Sequence, residues 1–537
     1  MAAQNPMIEL LESETTLGEM IENRARNLPD KTALIFHDEE ITYRELNEKV
    51  DGLATALLNM DITPSDRIAI IMPTRPEFVY LWLAASKIGA SLVGLNFRYQ
   101  QDEVVYMVNN SKPSVFVSIN EFAFTDYNTF LSGIRDRIPS VKQFVFLGKT
   151  EFPDAIDFND LINTAPDYAK LSEAAKEMNG DGDNFIIYTS GTTGKPKGAV
   201  LTQKSIMAMM KLWTKNLELV PEDRILCILP LNHVGGGTIM ALSSLASGIA
   251  LVLHDMFVPD QLVDIIQQHK ITVFGAVPTV FEIFFAARRD IKAGMFPSIR
   301  LTAYGGSPAT PEILKAMREK FDAPVMACYG SSEVSGFITY TRRDDPFEKA
   351  MTAGRVPEGV EAKIVTPDTR EELPAGEIGE IAFRSDMIFN RYLDMPEETK
   401  NAFDDEGWFY MGDLGYFDED GFLVIAGRTK EMYITGGFNV YPKEIEDCLA
   451  THPDVIMAAV VGAPHSIMGE TGIAFVVLNP ASEVTSEDLR EFCKPKLADY
   501  KVPSRVFLET SLPMTTVGKV QKTVLQETAL ERLGIKK

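Results

Sequence analysis

Helix-like and strand-like segments alternate through the first half of the chain, and this alternation constrains the fold more than any other feature. The segment "ITYRELNEKVDGLATALLNM" begins with a capping box, Thr42 and Glu45, and continues with apolar residues at helical spacing. "RIAIIM" follows as a β-branched strand, and "EFVYLWLAASKIGA" as a helix closed by Gly89. Because the order of helix, short turn and apolar strand recurs later, we predict an α/β fold of doubly wound parallel sheets with helices on both faces.

The second half of the chain changes character twice. After about residue 355, the segment "GVEAKIVTPDTREELPAGEIGEIAFRS" predicts short strands and turns, and therefore a β-rich subdomain. From Arg428 onward, "YPKEIEDCLATHP" predicts a helix with Pro442 in its first turn, followed by strands and a further helix. We therefore predict a large N-terminal domain, residues 1–427, and a small α+β C-terminal domain, residues 428–537.

Charge and cysteine content exclude several classes of protein. The chain of 537 residues has 52 basic and 76 acidic side chains, a net charge of −24, which repels nucleic acid and anionic membranes. Its four cysteines are widely spaced, so we predict neither a zinc site nor a disulfide framework. We see no secretory signal and no apolar run of the roughly 20 residues that a membrane span needs. These features predict a soluble, cytoplasmic protein without a nucleic-acid partner or an integral membrane span.

The segment "TSGTTGKPKG", residues 189–198, is the most informative short stretch. It lies between two apolar runs and differs from the standard nucleotide loop, because Lys195 is followed by Pro196 and then by a strand-like run. A surface hairpin would also tolerate this composition. However, glycines that let backbone N–H groups converge, hydroxyl donors and two lysines together favour a loop that holds phosphate. At the ends of other apolar runs lie "VFGAVP", "LTAYGGSP" and "ACYGSSE", and we expect all four segments to share one crevice.

This stretch closely resembles the signature loop of the adenylate-forming enzymes, which include acyl-CoA synthetases, aryl-CoA ligases, free-standing adenylation domains and firefly-type luciferases. Further family motifs recur in the same order: "YGSSE" (329–333), "GWFYMGDLG" (407–415), "GRTKEMYITGGFNVYPKEIE" (427–446) and "PMTTVGKVQK" (513–522). Together they span Tyr188 to Lys522. The resemblance implies an AMP-forming acyl-CoA synthetase, which converts a carboxylic acid and ATP to an acyl-adenylate and pyrophosphate and then transfers the acyl group to coenzyme A.

The resemblance also implies where the nucleotide binds. The phosphates of ATP are assigned to Thr189, Ser190, Gly191, Thr192, Thr193, Gly194, Lys195 and Lys197. The adenine site is assigned to Gly305, Gly306, Ser307, Tyr329 and Gly330. Ser332, which keeps a hydroxyl where the family usually has Thr, is assigned to the nucleotide site beside Glu333. Glu333 is expected to bind Mg²⁺, since a carboxylate is a hard oxygen ligand. Asp413 is expected to accept both ribose hydroxyls; Met411 replaces the family's usual Thr, which leaves a nearby hydroxyl contact open.

Arg428 has two possible roles. The resemblance places it on the ribose or phosphate side of the nucleotide, and an inter-domain salt bridge is the alternative.

Catalysis is expected to depend on residues far apart in sequence. Lys519 is implied to bridge the substrate carboxylate and the α-phosphate during adenylation. His233 matches a family position near the acyl carboxylate, although a structural role would be equally typical of such a histidine.

The family moves a mobile C-terminal domain between two poses, with Lys430 at the hinge position. In the second pose Gly436 and Gly437 would line the channel for coenzyme A; they would also suit a simple hairpin turn.

The substrate and the acceptor are less constrained by the sequence. Small residues such as Ala303, Gly305 and those at 235–237 suggest a roomy acyl pocket, and thus a medium-chain, cyclic or aromatic carboxylate. A stand-alone adenylation enzyme that loads a carrier protein, a non-enzymatic nucleotide-binding relative and a luciferase-like oxidation remain alternatives. The sequence continues for 18 residues (537 − 519) after Lys519, so we expect no carrier domain. The expected partners are the carboxylic acid, ATP and coenzyme A, in a monomer or homodimer.

Overall fold

The computed structural model describes residues 5–178, 180–189, 196–436, 438–465, 467–514 and 519–535. The chain divides into two compact units. Unit one comprises Met1–Val360 and Arg384–Asp404, and unit two comprises Glu361–Phe383 and Asp405–Lys537. The predicted α/β class, with a large N-terminal domain of doubly wound sheets, is confirmed. The domain boundary predicted at residues 427/428 stays a prediction.

The strands are numbered in chain order. They are β1 (Thr32–Phe36), β2 (Glu39–Thr42), β3 (Arg67–Ile71), β4 (Ser91–Leu95), β5 (Val115–Ile119), β6 (Glu121–Phe122), β7 (Thr125–Asp126), β8 (Gln143–Leu147), β9 (Ile156–Asp157), β10 (Asp183–Thr189), β11 (Lys197–Thr202), β12 (Arg224–Cys227), β13 (Ala250–Leu253), β14 (Val273–Ala276), β15 (Leu301–Gly305), β16 (Val325–Ser331), β17 (Gly336–Tyr340), β18 (Glu361–Val365), β19 (Gly379–Arg384), β20 (Arg391–Tyr392), β21 (Phe409–Phe417), β22 (Leu423–Arg428), β23 (Tyr433–Thr435), β24 (Phe438–Val440), β25 (Val455–His465), β26 (Gly469–Leu478) and β27 (Arg505–Glu509).

The helices are numbered in the same way. They are α1 (Pro6–Leu11), α2 (Leu17–Asn27), α3 (Tyr43–Asn59), α4 (Pro76–Ile88), α5 (Gln101–Ser111), α6 (Tyr127–Ser132), α7 (Phe158–Ile162), α8 (Tyr168–Lys176), α9 (Gln203–Asn216), α10 (Ser243–Ala246), α11 (Pro259–Gln268), α12 (Pro278–Ala287), α13 (Pro311–Phe321), α14 (Pro396–Ala402), α15 (Pro442–Ala450), α16 (Ser486–Cys493) and α17 (Lys522–Arg532). Single turns of 3₁₀-helix lie at Arg135–Arg137, Ser332–Val334, Phe347–Met351 and Asp499–Lys501, and a π-helix lies at Gly235–Leu242.

Unit one contains two eight-stranded sheets. The first, sheet A, has the order β17-β16-β15-β14-β12-β13-β1-β2, and the second, sheet B, has the order β20-β11-β10-β4-β3-β5-β8-β9. The inner pairs of both sheets are parallel, as the alternation of helices and strands predicts. In sheet A, β14, β15 and β16 are neighbours in parallel register, so their carboxyl ends meet at one edge. In sheet B, β10 and β11 form an antiparallel hairpin near the edge.

Local sequence signals account for the helices around these sheets. The side chain of Thr42 caps α3, and the carboxylate of Glu45 accepts from the Thr42 backbone N–H, which completes the predicted capping box. The apolar face of α3 is buried. Helix α4 ends at Gly89 with φ of +76°, a left-handed conformation that glycine adopts without strain.

Among the described residues, no helix combines the length and the apolar character needed to cross a membrane.

Unit two contains a four-stranded sheet, β18-β19-β21-β22, and a five-stranded sheet built around β25 and β26. Alternate residues of β25 face opposite sides of the second sheet, as the period of a strand requires. Val460 packs in the cluster that includes α15 and α16, whereas Ala459 and Val461 pack in the cluster that includes α17. The β-rich segment predicted after residue 355 corresponds to the four-stranded sheet.

Candidate active site

The predicted phosphate loop connects the two strands of the β10–β11 hairpin. Thr189 is the last residue of β10 and Lys197 the first of β11, and their Cα atoms are paired in the ladder. Six of the predicted phosphate-binding residues lie outside the described residues, and their role stays a prediction: Ser190, Gly191, Thr192, Thr193, Gly194 and Lys195. The hairpin nevertheless fixes where this loop begins and ends.

Helix α5 anchors both ends of the loop. At one end, the hydroxyl of Tyr106 donates a hydrogen bond to the carbonyl oxygen of Pro196 at 3.1 Å. At the other end, the hydroxyl of Tyr188 lies 2.9 Å from the carbonyl oxygen of Met107 and 2.7 Å from Oδ1 of Asn110. The residues that flank the loop, Tyr188 and Pro196, are therefore both held against helix α5.

Glu333, Lys197 and Tyr392 form a second cluster in unit one. Glu333 is half-buried in the 3₁₀ turn that follows β16, and its Oε1 accepts a hydrogen bond from the Tyr392 hydroxyl at 3.0 Å. The ammonium nitrogen of Lys197 lies 5.1 Å from the centroid of the Tyr392 ring. Since β16 belongs to sheet A and β11 to sheet B, Tyr392 joins the predicted phosphate lysine to the predicted metal carboxylate across two sheets.

The residues predicted around adenine lie on neighbouring strands. Gly305 ends β15, Gly306 follows it with φ of +82°, and Tyr329 and Gly330 lie within β16 rather than in a loop. A Cβ on Gly330 would lie 2.0 Å from the carbonyl oxygen of Gly336, so this glycine is required by close packing between strands. Ser307 is half-buried after β15. Contact of these residues with adenine stays a prediction.

The site has polar atoms suited to a bound nucleotide and metal. Ser332 is buried, with 6% of its surface exposed, and the hydroxyl oxygen of Ser331 is a buried atom with no hydrogen-bond partner in the described part of the chain. Such an atom is costly unless a ligand or water satisfies it. Together with the hard oxygen ligands of Glu333 and the cation of Lys197, it fits a nucleoside triphosphate with Mg²⁺.

Three glycines that we expected to open the acyl pocket are instead required by packing. A Cβ on Gly236 would lie 2.4 Å from the carbonyl oxygen of Pro230, and one on Gly237 would lie 2.6 Å from that of Leu231. A Cβ on Gly305 would lie 2.6 Å from the carbonyl oxygen of Cys328. The sequence argument from volume is therefore wrong at these positions, because the protein itself fills the space.

His233 lies two residues before the π-helix Gly235–Leu242. Its Nδ1 accepts a hydrogen bond from the backbone N–H of Gly235 at 3.2 Å. In the neutral ring, this contact places the proton on Nε2, which makes that atom the donor. Irregular π-turns occur frequently at functional sites. The predicted role near the acyl carboxylate stays a prediction, with Nε2 as the group that would serve it.

In unit two, Asp413 and Arg428 are paired across β21 and β22. Nε of Arg428 lies 2.9 Å from Oδ1 of Asp413, whose side chain is 9% exposed. The two residues lie on either side of the boundary predicted at 427/428 but within one compact unit, so both roles considered for Arg428 stay predictions. Glu380, which the sequence did not single out, accepts the backbone N–H of Gly412. Burial is the main cause that raises the pKa of the Glu380 carboxyl, and the charge of Asp413 adds to it.

The predicted hinge and coenzyme A channel are both turns of unit two. Lys430 is exposed in the turn that follows β22, where the N–H of Glu431 donates to the carbonyl oxygen of Arg428 at 3.0 Å. Gly436 has φ of +59° between β23 and β24, so the alternative reading as a hairpin turn holds. Gly437 lies outside the described residues. The hinge and channel roles stay predictions.

Lys519 is an exposed residue just before helix α17. The residues that follow Lys519, toward helix α17, make defined contacts. Val520 pairs with Met514 in an isolated antiparallel bridge, and the ammonium of Lys522 lies 2.7 Å from carboxylate oxygens of both Glu431 and Glu446. The ion pair to Glu431 links the Lys519 segment to the turn that holds Lys430. The contact of Lys519 with the substrate stays a prediction.

Comparison with known proteins agrees with the motifs. The family model for the AMP-binding enzyme matches residues 21–393, and that for the AMP-binding enzyme C-terminal domain matches residues 444–519. A 3-[(3aS,4S,7aS)-7a-methyl-1,5-dioxo-octahydro-1H-inden-4-yl]propanoyl:CoA ligase from Rhodococcus jostii is 32% identical and covers 96% of this chain and 99% of its own. The medium-chain fatty-acid–CoA ligase of Escherichia coli is 31% identical and covers 97% and 91%.

A solved structure extends the likeness to the fold. The anthranilate CoA ligase AuaEII, crystallised in complex with anthranoyl-AMP, has a TM-score of 0.87 to this chain at 25% identity, covering 97% of this chain and 98% of that one. The sequence resemblance is confirmed: the chain belongs to the AMP-binding enzyme family of adenylate-forming enzymes, as an AMP-forming acid–CoA ligase.

Proposed function

We propose that this ligase activates a medium-chain, cyclic or aromatic monocarboxylic acid and transfers it to coenzyme A. The observation that carries the proposal is the cluster in which Tyr392 contacts both Glu333 and Lys197. A carboxylate for a metal and an ammonium for phosphate are what a bound triphosphate needs, and they lie beside the family's phosphate loop. Loading of a separate carrier protein is not favoured, because the relatives found are CoA ligases.

Adenylation brings two anions together and expels pyrophosphate, so its catalysis consists largely of positioning and charge neutralisation. In our proposal, the residues from Thr189 to Lys197 hold the β- and γ-phosphates. Glu333 holds Mg²⁺, which supplies charge neutralisation at the phosphates when bound. Asp413 accepts the ribose hydroxyls, and its ion pair with Arg428 orients the carboxylate before the nucleotide arrives.

Lys519 supplies the final positive charge. Its ammonium neutralises the charge that develops between the carboxylate and the α-phosphate. The same position would block a thiol that approaches the acyl carbon. We therefore propose that the C-terminal domain rotates about Lys430 between the two half-reactions, so that the turn at Gly436 and Gly437 replaces Lys519 beside the acyl-adenylate.

The class of acid is supported by the relatives rather than by the glycines. One relative is named for a fused-ring propanoate, another for medium-chain fatty acids, and a solved neighbour holds an anthranoyl-adenylate. These acids share one carboxylate and a largely hydrocarbon body. We propose the same chemistry here, because the sequence shows no cationic clamp for a second carboxylate.

The cellular setting follows from the co-substrates. The reaction consumes ATP and coenzyme A, and all four cysteines are buried thiols. We propose that the enzyme works in the cytoplasm, where both co-substrates are supplied and thiols stay reduced.

The function is tested by two assays on the wild-type protein. Pyrophosphate release is measured with ATP, Mg²⁺ and a panel of acids that includes acetate, octanoate, cyclohexane carboxylate, benzoate and malonate. Thioester formation is then measured with coenzyme A and, separately, with a phosphopantetheinylated carrier protein. We expect release with the monocarboxylates larger than acetate and a thioester with coenzyme A. Release only with acetate or malonate, or transfer only to the carrier protein, contradicts the proposal.

A further inference from the structure

The segment that contains Tyr392 binds to both parts of the site in unit one. Strand β20 pairs with β11, with Tyr392 opposite Ala199. On either side of it, the backbone N–H of Leu393 donates to the carbonyl oxygen of Gly198 at 2.8 Å, and that of Asn390 donates to the carbonyl oxygen of Val200 at 3.2 Å. The segment is thus the antiparallel edge neighbour of the strand that begins with Lys197.

The same segment is attached to the turn that carries Glu333. The backbone N–H of Phe389 donates to the carbonyl oxygen of Glu333 at 2.6 Å, and the Tyr392 hydroxyl donates to its carboxylate at 3.0 Å. Main chain and side chain of Glu333 are therefore both held by residues 389–392. A carboxylate held at two points keeps one orientation, which a metal ligand needs.

The segment is itself well fixed. Arg391 forms two hydrogen bonds to the carboxylate of Asp183, at 2.8 and 2.7 Å, which tie β20 to the first residue of β10. The backbone N–H of Tyr392 donates to Oγ1 of Thr399 at 3.0 Å, and the Tyr392 ring packs edge-on against Phe389 with centroids 4.7 Å apart. The tyrosine side chain therefore presents its hydroxyl and its ring face in fixed directions.

The chemistry of a tyrosine suits this place. Its hydroxyl is a neutral donor, so it orients the Glu333 carboxylate without neutralising the charge that a metal ion needs. Its ring face attracts the Lys197 ammonium without a counter-charge. No direct ion pair between Lys197 and Glu333 occurs among the described contacts, and such a pair would reduce the charge that each offers to a ligand.

We propose that Tyr392 is a positioning residue that holds the carboxylate of Glu333 for the divalent metal and the ammonium of Lys197 for the phosphates. The proposal rests on the proposed function, because it assumes that these two groups bind the metal and the triphosphate. In this proposal the hydroxyl acts on metal binding through Glu333, and the ring acts on phosphate binding through Lys197. Two substitutions of Tyr392 distinguish these two effects.

The test uses Tyr392→Phe, which keeps the ring, and Tyr392→Leu, which removes both features. The exposed Tyr168 on α8 gives a matched control, Tyr168→Phe. Binding of Mn²⁺ is measured by electron paramagnetic resonance with a non-hydrolysable ATP analogue, and binding of the analogue by calorimetry. Neither measurement needs an acid or turnover, so a failure of the proposed function leaves them interpretable. Thermal unfolding confirms that each variant is folded.

We expect Tyr392→Phe to weaken Mn²⁺ binding by about 10-fold, as for other groups that orient a metal ligand, and to leave the metal-free affinity for the analogue unchanged. Tyr392→Leu should weaken both, and Tyr168→Phe neither. A Tyr392→Phe variant that binds Mn²⁺ as the wild type does overturns the proposal.

A double-mutant cycle provides a second test of the coupling between the Tyr392 hydroxyl and Glu333. With Glu333→Gln as the starting protein, loss of the Tyr392 hydroxyl should have almost no further effect on Mn²⁺ binding, because the two groups act as one unit. If instead the effects of Glu333→Gln and Tyr392→Phe on Mn²⁺ binding multiply, the hydroxyl acts independently of Glu333 and the proposal is wrong.

Discussion

Nε of Arg428 lies 2.9 Å from Oδ1 of Asp413, across the neighbouring strands β21 and β22. The aspartate side chain is nearly buried whereas the arginine is about half-exposed, with relative exposures of 9% and 45%. The arginine therefore restrains the carboxylate that we propose for the ribose hydroxyls. A carboxylate that is already oriented loses little conformational freedom when the nucleotide binds.

The first prediction concerns Asp413→Asn. The amide keeps the shape of the side chain but loses the charge and one acceptor, so charge-assisted hydrogen bonds to the ribose become weaker. Bonds to a charged group contribute about 1.5–3 kcal/mol, so we expect the KM for ATP to rise about 10- to 100-fold with a smaller change in kcat. Pyrophosphate release at varied ATP measures both constants. The exposed Asp405→Asn serves as the control, and an unchanged KM in Asp413→Asn would exclude the ribose role.

The second prediction concerns the pH dependence of stability at Glu380. Burial and the charge of Asp413 raise the pKa of its carboxyl, while Arg370 and the N–H of Gly412 lower it, with a net increase above 4.5. Because the folded state holds this proton more tightly than the unfolded chain, ionisation of Glu380 costs stability as the pH rises. Glu380→Gln removes that cost and still offers an oxygen to Gly412.

We therefore expect the Glu380→Gln variant to have a higher Tm than the wild type at neutral pH. The difference should shrink as the pH falls toward 4.5, the ordinary value, where the wild-type carboxyl is protonated as well. Thermal unfolding followed by circular dichroism at several pH values measures the difference. A difference in Tm that does not change with pH would show that ionisation of Glu380 is not its cause.

The third prediction concerns Lys522→Met. Burial lowers the pKa of the Lys522 ammonium, but the charges of Glu446 and Glu431 outweigh that effect, so its pKa is raised. For a lysine with a raised pKa, the stabilisation is complete below the unfolded value of 10.5 and is lost only at higher pH. The charge is therefore present throughout the neutral range.

Removal of Lys522 leaves two carboxylates, 25% and 15% exposed, without their shared cation. We expect the free energy of unfolding of unit two to fall by about 2 kcal/mol, less than for a fully buried pair. Chemical denaturation of the full chain measures the loss. Lys494 forms an exposed pair with Glu491, and Lys494→Met should change stability by less than about 0.5 kcal/mol. Equal effects of the two substitutions would refute the argument from burial.

Much of the fold was predictable because it follows from short-range patterns. The capping box at Thr42 and Glu45, the helix that ends at Gly89 and the Pro442 helix all depend on neighbouring residues, and the structure confirms each. The assignment of β10 and β11 to a different sheet from β16 was not predictable in this way. Sheet membership depends on pairing between strands that are far apart in sequence, which periodicity does not encode.

The same distinction holds within the site. The motifs identified the residues at 189–198 and 329–333, but not Tyr392, which lies in a two-residue strand with no periodic signal of its own. Its contacts with Glu333 and Lys197 exist only once two sheets are assembled. The prediction that Gly236 and Gly237 leave space for the acyl group was wrong for a related reason. The sequence shows that these residues lack side chains, but only the structure shows that backbone oxygens occupy the space beside them.

The central claim is that Lys519 serves the first half-reaction and not the second. Lys519→Ala should lower pyrophosphate release by about 10²–10³-fold, because it removes a positive charge from the adenylation transition state. The same variant, given preformed acyl-adenylate and coenzyme A, should form the thioester at close to the wild-type rate. The exposed Lys315→Ala controls for the loss of a surface charge. If Lys519→Ala slows both half-reactions to the same extent, the division of labour between two domain poses is contradicted.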